Sequence, residues 1–134
     1  MANAFRAFMT SAATSKLILI VEDNENNRIL VRDVLQASGF RTIEATTGED
    51  GLRQAVELVP DLILLDIQLP GMNGLTALRE LRANPSTRAI PVIAVTASAT
   101  TSDRQQIMAA GFDGYQAKPI AIKSFITAVT EVLR

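Results

Sequence analysis

LILLDIQLPG, residues 62–71, decides how the chain is read. Four apolar residues in succession, 62–65, have the character of a strand buried on both faces, yet the run ends in the carboxylate of Asp66. An unpaired charge inside a core costs on the order of several kcal/mol. Asp66 therefore either sits at the open end of its strand or meets a cation.

The same alternation of apolar run and helical spacing extends in both directions. LILIV (17–21) is short, apolar and rich in branched residues; polar EDNEN follows, then Ile29, Leu30, Val34 and Leu35 at helical spacing, with Gly39 beyond the last turn. Residues 41–45 read as an exposed or edge strand and 49–59 as a helix ended by Pro60. After the opening stretch, Gly71 and Gly74 supply turn positions, Asn73 caps a helix, and Leu75, Leu78 and Leu81 lie three apart along it. Pro91 introduces the strand VIAVT, 102–110 is helical before Gly111, 114–117 is a short last strand, and 120–133 closes the chain as an amphipathic helix. Five strands alternating with five helices imply βαβ crossovers and a doubly wound α/β sandwich around a parallel sheet.

The chain has 134 residues, enough for one domain over 16–134 behind a flexible leader at 1–15. It contains neither cysteine nor histidine, which excludes disulfide scaffolds, thiol catalysis, the usual zinc sites and histidine general bases. Thirteen basic and 14 acidic residues are scattered, with no stripe suited to nucleic acid. No apolar run reaches membrane-spanning length, and MANAFRAFMTSAATS lacks the basic head and apolar core of a secretory signal, so a cytoplasmic protein is expected. Nothing follows Arg134, so no output domain is expected in cis.

Parallel strands of such a sheet point their C-terminal ends at one edge, where ligands bind. The residues collected there are Glu22, Asp23, Asp66, Thr96 and Lys118. Three carboxylates in one cleft repel unless a cation intervenes, and magnesium suits an oxygen donor set that must leave room for a phosphoryl group. Magnesium alone would serve nuclease, phosphatase or kinase-like chemistry. Lys118 adds a point cation and Thr96 a hydroxyl donor, both apt for phosphoryl oxygens. One carboxylate can then attack phosphorus and form an acyl phosphate, and Asp66, ending the most apolar strand, is the best candidate. Without histidine, water attack on that acyl phosphate lacks its commonest general base, so the phosphorylated state can persist as a signal.

VEDN (21–24), LLDIQLPGMNG (64–74), VTA (95–97) and KP (118–119) together resemble the receiver domains of two-component response regulators, from Lys16 to near the C-terminus. The resemblance implies a flavodoxin-like (βα)5 fold with strand order 2-1-3-4-5. It makes Glu22 and Asp23 the acidic magnesium pair, Asp66 the phosphoacceptor and metal ligand, and the Gln68 carbonyl a further ligand. Thr96 and Tyr115 become a coupled switch, Lys118 the cation preceding a cis peptide to Pro119, and Gly74 a structural position beside Asp66. A histidine kinase or histidine phosphotransfer protein would dock beside the first helix at Asn26, Asn27 and Leu30. Output would use the face of the fourth helix, last strand and fifth helix, drawing on Arg104, Ile107, Met108, Tyr115 and Ile122. Gln68 and Ser98 stand where side chains control access to the phosphoryl group. The chain is closest in character to single-domain regulators of the chemotaxis and cell-cycle type, acting as a monomer or weak dimer. A receiver-like binding module independent of phosphorylation, a flavodoxin-like redox protein and a small phosphatase are the competing readings. EDNEN is unlike a flavin phosphate loop, and Gln68 stands where such a phosphatase would carry a second aspartate.

Overall fold

The structure, a computed structural model, describes residues 15–97 and 100–133. Apart from Ser15, the leader expected at 1–15 lies outside the described residues, as does Ser98. The elements run β1 (Leu17–Val21), α1 (Glu25–Ala37), β2 (Arg41–Ala45), α2 (Gly48–Leu58), β3 (Leu62–Asp66), α3 (Gly74–Ala83), β4 (Val92–Thr96), α4 (Thr101–Ala109), β5 (Gly114–Ala117) and α5 (Ile122–Val132). The strands form one parallel sheet in the order β2-β1-β3-β4-β5, as the resemblance implied.

The order follows from which strands tolerate full burial. β3 and β4 are buried at every position and lie inside the sheet, whereas β2 and β5, with mostly half-buried residues, take the edges. Period-two alternation sends Leu19, Val21, Ile63 and Leu65 to one face, where α2, α3 and α4 contribute Ala55, Ala77, Leu78, Leu81 and Ile107. Ile18, Ile20, Leu62 and Leu64 face the other way and meet Val31 and Leu35 of α1 and Phe125 and Val129 of α5. A single strand thus feeds both cores, and its last residue can project past them.

Every helix that follows β1 to β4 starts with a side-chain cap. Asn24, Thr47, Asn73 and Thr100 each accept a hydrogen bond from the backbone N–H three residues on, a contribution of about 1 kcal/mol apiece. These caps stop the chain abruptly at the C-terminal edge of the sheet and keep its loops short.

Several expectations need correcting. The helical spacing read in α1 missed Val31, which with Leu35 is the buried pair; Leu30 is exposed, as a docking contact there requires. Leu75 is likewise exposed; the stripe that α3 buries is Ala77, Leu78 and Leu81. Ile107, expected on an interaction surface, is buried, because α4 has no other buried side chain with which to hold the sheet. The helix before Pro60 ends at Leu58, and Val59 takes a left-handed conformation (φ 43°), an uncommon one for a branched residue.

Candidate functional site

Each residue expected at the strand ends is delivered there by the sheet. Glu22 and Asp23 follow β1, Asp66 and Thr96 are the last residues of β3 and β4, and Lys118 follows β5. The backbone locks these ends together: Glu22 N–H donates to the Ala45 carbonyl, Ile67 N–H to that of Val95 (3.0 Å each), and Lys118 N–H to that of Thr96 at 2.8 Å. Gly74 permits the turn after β3 to fold back. A β-carbon there would stand 2.7 Å from Ile67 Cα and 2.8 Å from the Asp66 carbonyl oxygen, so no other residue fits without displacing the strand end. The peptide between Lys118 and Pro119 is cis.

The charged groups converge. Lys118 Nζ lies 2.8 Å from Glu22 Oε1 and 2.8 Å from Asp66 Oδ2. Asp66 Oδ1 accepts from the Gln68 N–H at 2.8 Å, and Glu22 Oε2 from the Asn24 N–H at 3.2 Å. Carboxylate oxygens of Glu22, Asp23 and Asp66 lie within 4.8 Å of one another, with Asp23 exposed and the other two buried. Both conditions posed by the opening stretch are met: Asp66 ends its strand, and it meets a cation.

One ammonium does not balance three carboxylates. Burial pushes the Glu22 carboxyl up to about 7, and its hydrogen bond and charge interaction with Asp66 push the same way, against the pull of Lys118 and the Asn24 N–H. Burial also pulls the Lys118 ammonium down, but the hydrogen bonds and charges of Asp66 and Glu22 outweigh it, and the net shift is upward. With all three carboxylates ionised the cluster retains two formal negative charges. An all-oxygen donor set with that excess fits a hard divalent cation.

Thr96 is buried, and together with Ile67, Gln68, Leu75, Asp103 and Gln106 it lines a cavity of about 280 Å³. Tyr115 is half-buried on β5 and packs against the α2–α3–α4 core, with the Arg104 guanidinium 5.7 Å from its ring centroid. Leu30, Asn26, Arg104, Met108 and Ile122 are exposed and Asn27 is half-buried; Ile107 is buried and reaches only the wall of the cavity beside Thr96.

Sequence reasoning overlooked Arg28. Its NH1 donates to the Glu22 carbonyl oxygen at 3.1 Å and its Nε lies 3.2 Å from Glu44 Oε1. The signal was present, because side chains in the first helical turn lean back toward the N-terminus and can reach the loop that precedes it.

No helix among the described residues is long and apolar enough to cross a membrane. The response regulator receiver domain profile matches residues 18–130. The polar-differentiation response regulator DivK of Brucella ovis is 44% identical over 119 residues, 89% of this chain and 97% of that protein. The receiver domain of a sensor histidine kinase from Pseudomonas aeruginosa PAO1, solved with a magnesium ion coordinated in its active-site cleft, is 33% identical with a TM-score of 0.82. That match covers 90% of this chain and 98% of the solved one. A CheY-like receiver domain protein from Methanospirillum hungatei JF-1 is 28% identical, with a TM-score of 0.81 over 90% of this chain and 94% of its own.

Proposed function

Because the chain belongs to the response regulator receiver domain family, we propose that it is a magnesium-dependent switch of the single-domain type, taking a phosphoryl group from a phosphohistidine onto Asp66. The observation that carries this reading is the convergence of Glu22, Asp23 and Asp66 around one cleft, with Lys118 bridging two of them.

Asp66 is the nucleophile. One of its carboxylate oxygens forms a bond to phosphorus as the phosphorus–nitrogen bond to the donor imidazole breaks; the imidazole keeps the electron pair and takes a proton from solvent. Glu22, Asp23, Asp66 and the Gln68 carbonyl would hold magnesium, which when bound would supply positive charge against the phosphoryl oxygens. The Gln68 N–H fixes the orientation of the Asp66 carboxylate. Lys118, already within reach of Asp66, pairs with one phosphoryl oxygen, and the Thr96 hydroxyl donates to another. Movement of Thr96 toward the phosphoryl group draws Tyr115 inward and changes the α4–β5–α5 face. With no histidine in the chain, hydrolysis of the acyl phosphate is slow.

A histidine kinase or histidine phosphotransfer protein donates the phosphoryl group. It docks beside α1, where Asn26, Asn27 and the exposed Leu30 flank the cleft, and the downstream protein reads Arg104, Met108, Tyr115 and Ile122. The protein works in the cytoplasm as a monomer or weak dimer.

The test is phosphorylation with acetyl phosphate and magnesium, read by intact mass. One hydroxylamine-labile phosphoryl group per chain is expected, absent without magnesium and absent in Asp66→Asn. Label that persists in the variant would move the acceptor elsewhere. A folded protein that takes up neither phosphoryl nor magnesium-dependent beryllofluoride would instead be a binding module.

A further inference from the structure

We infer that Arg28 is a positioning residue for the metal site, acting through the backbone that carries Glu22 and Asp23 rather than touching the ion. The inference rests on the reading of the acidic cluster as a magnesium site. Asp23 is exposed, and no hydrogen bond among the described residues reaches its carboxylate. Its direction is therefore set by the loop beneath it. That loop is held at four points: Glu22 N–H on the Ala45 carbonyl, Asn24 N–H on Glu22 Oε2, the Asn24 side chain as the cap of α1, and the Arg28 guanidinium on the Glu22 carbonyl. The guanidinium is in turn fixed by Glu44 on the neighbouring strand, and only 17% of the Arg28 side chain is exposed. Arg28 thus ties the carbonyl between the two acidic residues to β2, and a planar fork with several donors is suited to hold two acceptors at once.

Charge alone makes the opposite forecast. A cation near a divalent ion opposes its binding, and removing Arg28 also leaves the Glu44 carboxylate unbalanced, so a purely coulombic role predicts tighter magnesium binding in Arg28→Ala. Positioning predicts weaker binding, by about 10-fold, the lower end of what outer-shell partners of metal ligands contribute. A role confined to stability predicts a lower melting temperature with affinity unchanged.

Magnesium affinity is measured by titration calorimetry on the whole chain, with thermal unfolding of each variant alongside. Arg28→Ala is expected to bind about 10-fold more weakly. The charge-balanced double variant Arg28→Ala/Glu44→Ala is expected to stay weak. Arg28→Lys, which keeps the charge but lacks the fork, recovers affinity in part and guards against misfolding of the alanine variants. Equal or tighter binding in Arg28→Ala or the double variant overturns the inference. A wild-type protein that binds no magnesium overturns instead the reading of the cluster on which it rests.

Discussion

Two places in the molecule set two carboxylates against one cation. On the outer surface of α2, Arg53 pairs with Asp50 and, at 3.2 Å, with Glu57. In the cleft, Lys118 pairs with Glu22 and Asp66. The pairing is alike, although Asp23 adds a third carboxylate to the cleft, and the electrostatic outcome is opposite. Hydrogen bonds from Arg53 and Gln54 hold the Asp50 carboxyl below its ordinary value, whereas burial lifts that of Glu22 to about 7. In water the second carboxylate is hydrated and one cation suffices. At the end of a buried strand it is not, and the remaining negative charge calls for a further cation. Function resides in the cluster that the fold leaves incompletely balanced.

The largest effect expected from this contrast follows removal of the buried cation. Lys118→Met leaves Glu22 and Asp66 facing one another with only backbone N–H donors and no cation between them. Breaking a fully buried pair costs about 3–5 kcal/mol. Since 18% of the Lys118 side chain stays exposed, the loss should fall at or below the lower end of that range. Urea unfolding measures it. Excess magnesium should restore much of the loss by supplying the missing charge, and a variant as stable as wild type without magnesium would show that the cleft is far better hydrated than its burial indicates.

Next in size is the pH dependence of the cleft. Between pH 4.5, the ordinary Glu value, and about 7, the folded metal-free protein keeps a proton on Glu22 that the unfolded chain has lost. This carboxyl therefore lowers stability as pH rises through that window, with no further change above it. Magnesium requires the ionised form, so its affinity should climb by up to about tenfold per pH unit below 7 and then level. Calorimetric titrations across pH 5.5 to 8 in order-of-magnitude steps of affinity would reveal the bend, and Glu22→Gln should remove it. Asp50 works the other way: its lowered value gives stability that is present above the ordinary 3.8 and lost as pH falls.

How far the sequence disclosed these two clusters differs for a physical reason. The sheet was legible because its interior strands are apolar on both faces, as in residues 62–65 and 92–95, and because Gly39, Pro60 and Pro91 mark the element ends. Asp66, Glu22 and Lys118 were legible because charge at the end of such strands has few places to go. The clamp of Arg28 on the Glu22 carbonyl was harder to read, since a backbone acceptor carries no residue-type signature. Helix faces were read least well. Leu30 sits one position from the buried Val31, and Leu75 two and three positions from the buried Ala77 and Leu78. A hydrophobic residue at helical spacing locates a stripe only to within its angular width, and alanine, which fills the close contacts of α2 and α3 with the sheet, adds little to the pattern.

The smallest effect belongs to the outer cluster, and it makes the comparison sharp. Arg53→Met removes the cation from Asp50 and Glu57, yet both carboxylates stay hydrated, and the unfolding midpoint should fall only slightly below that of wild type. Salt separates the two sites further. At about 1 M salt the screening length falls to roughly 3 Å, so any residual difference between Arg53→Met and wild type should vanish, while the deficit of Lys118→Met should persist because ions do not enter the packed strand end. If Arg53→Met instead destabilised the protein as much as Lys118→Met, the number of opposed charges rather than their burial would govern both clusters, and the unbalanced charge of the cleft would lose its claim to be what summons the metal.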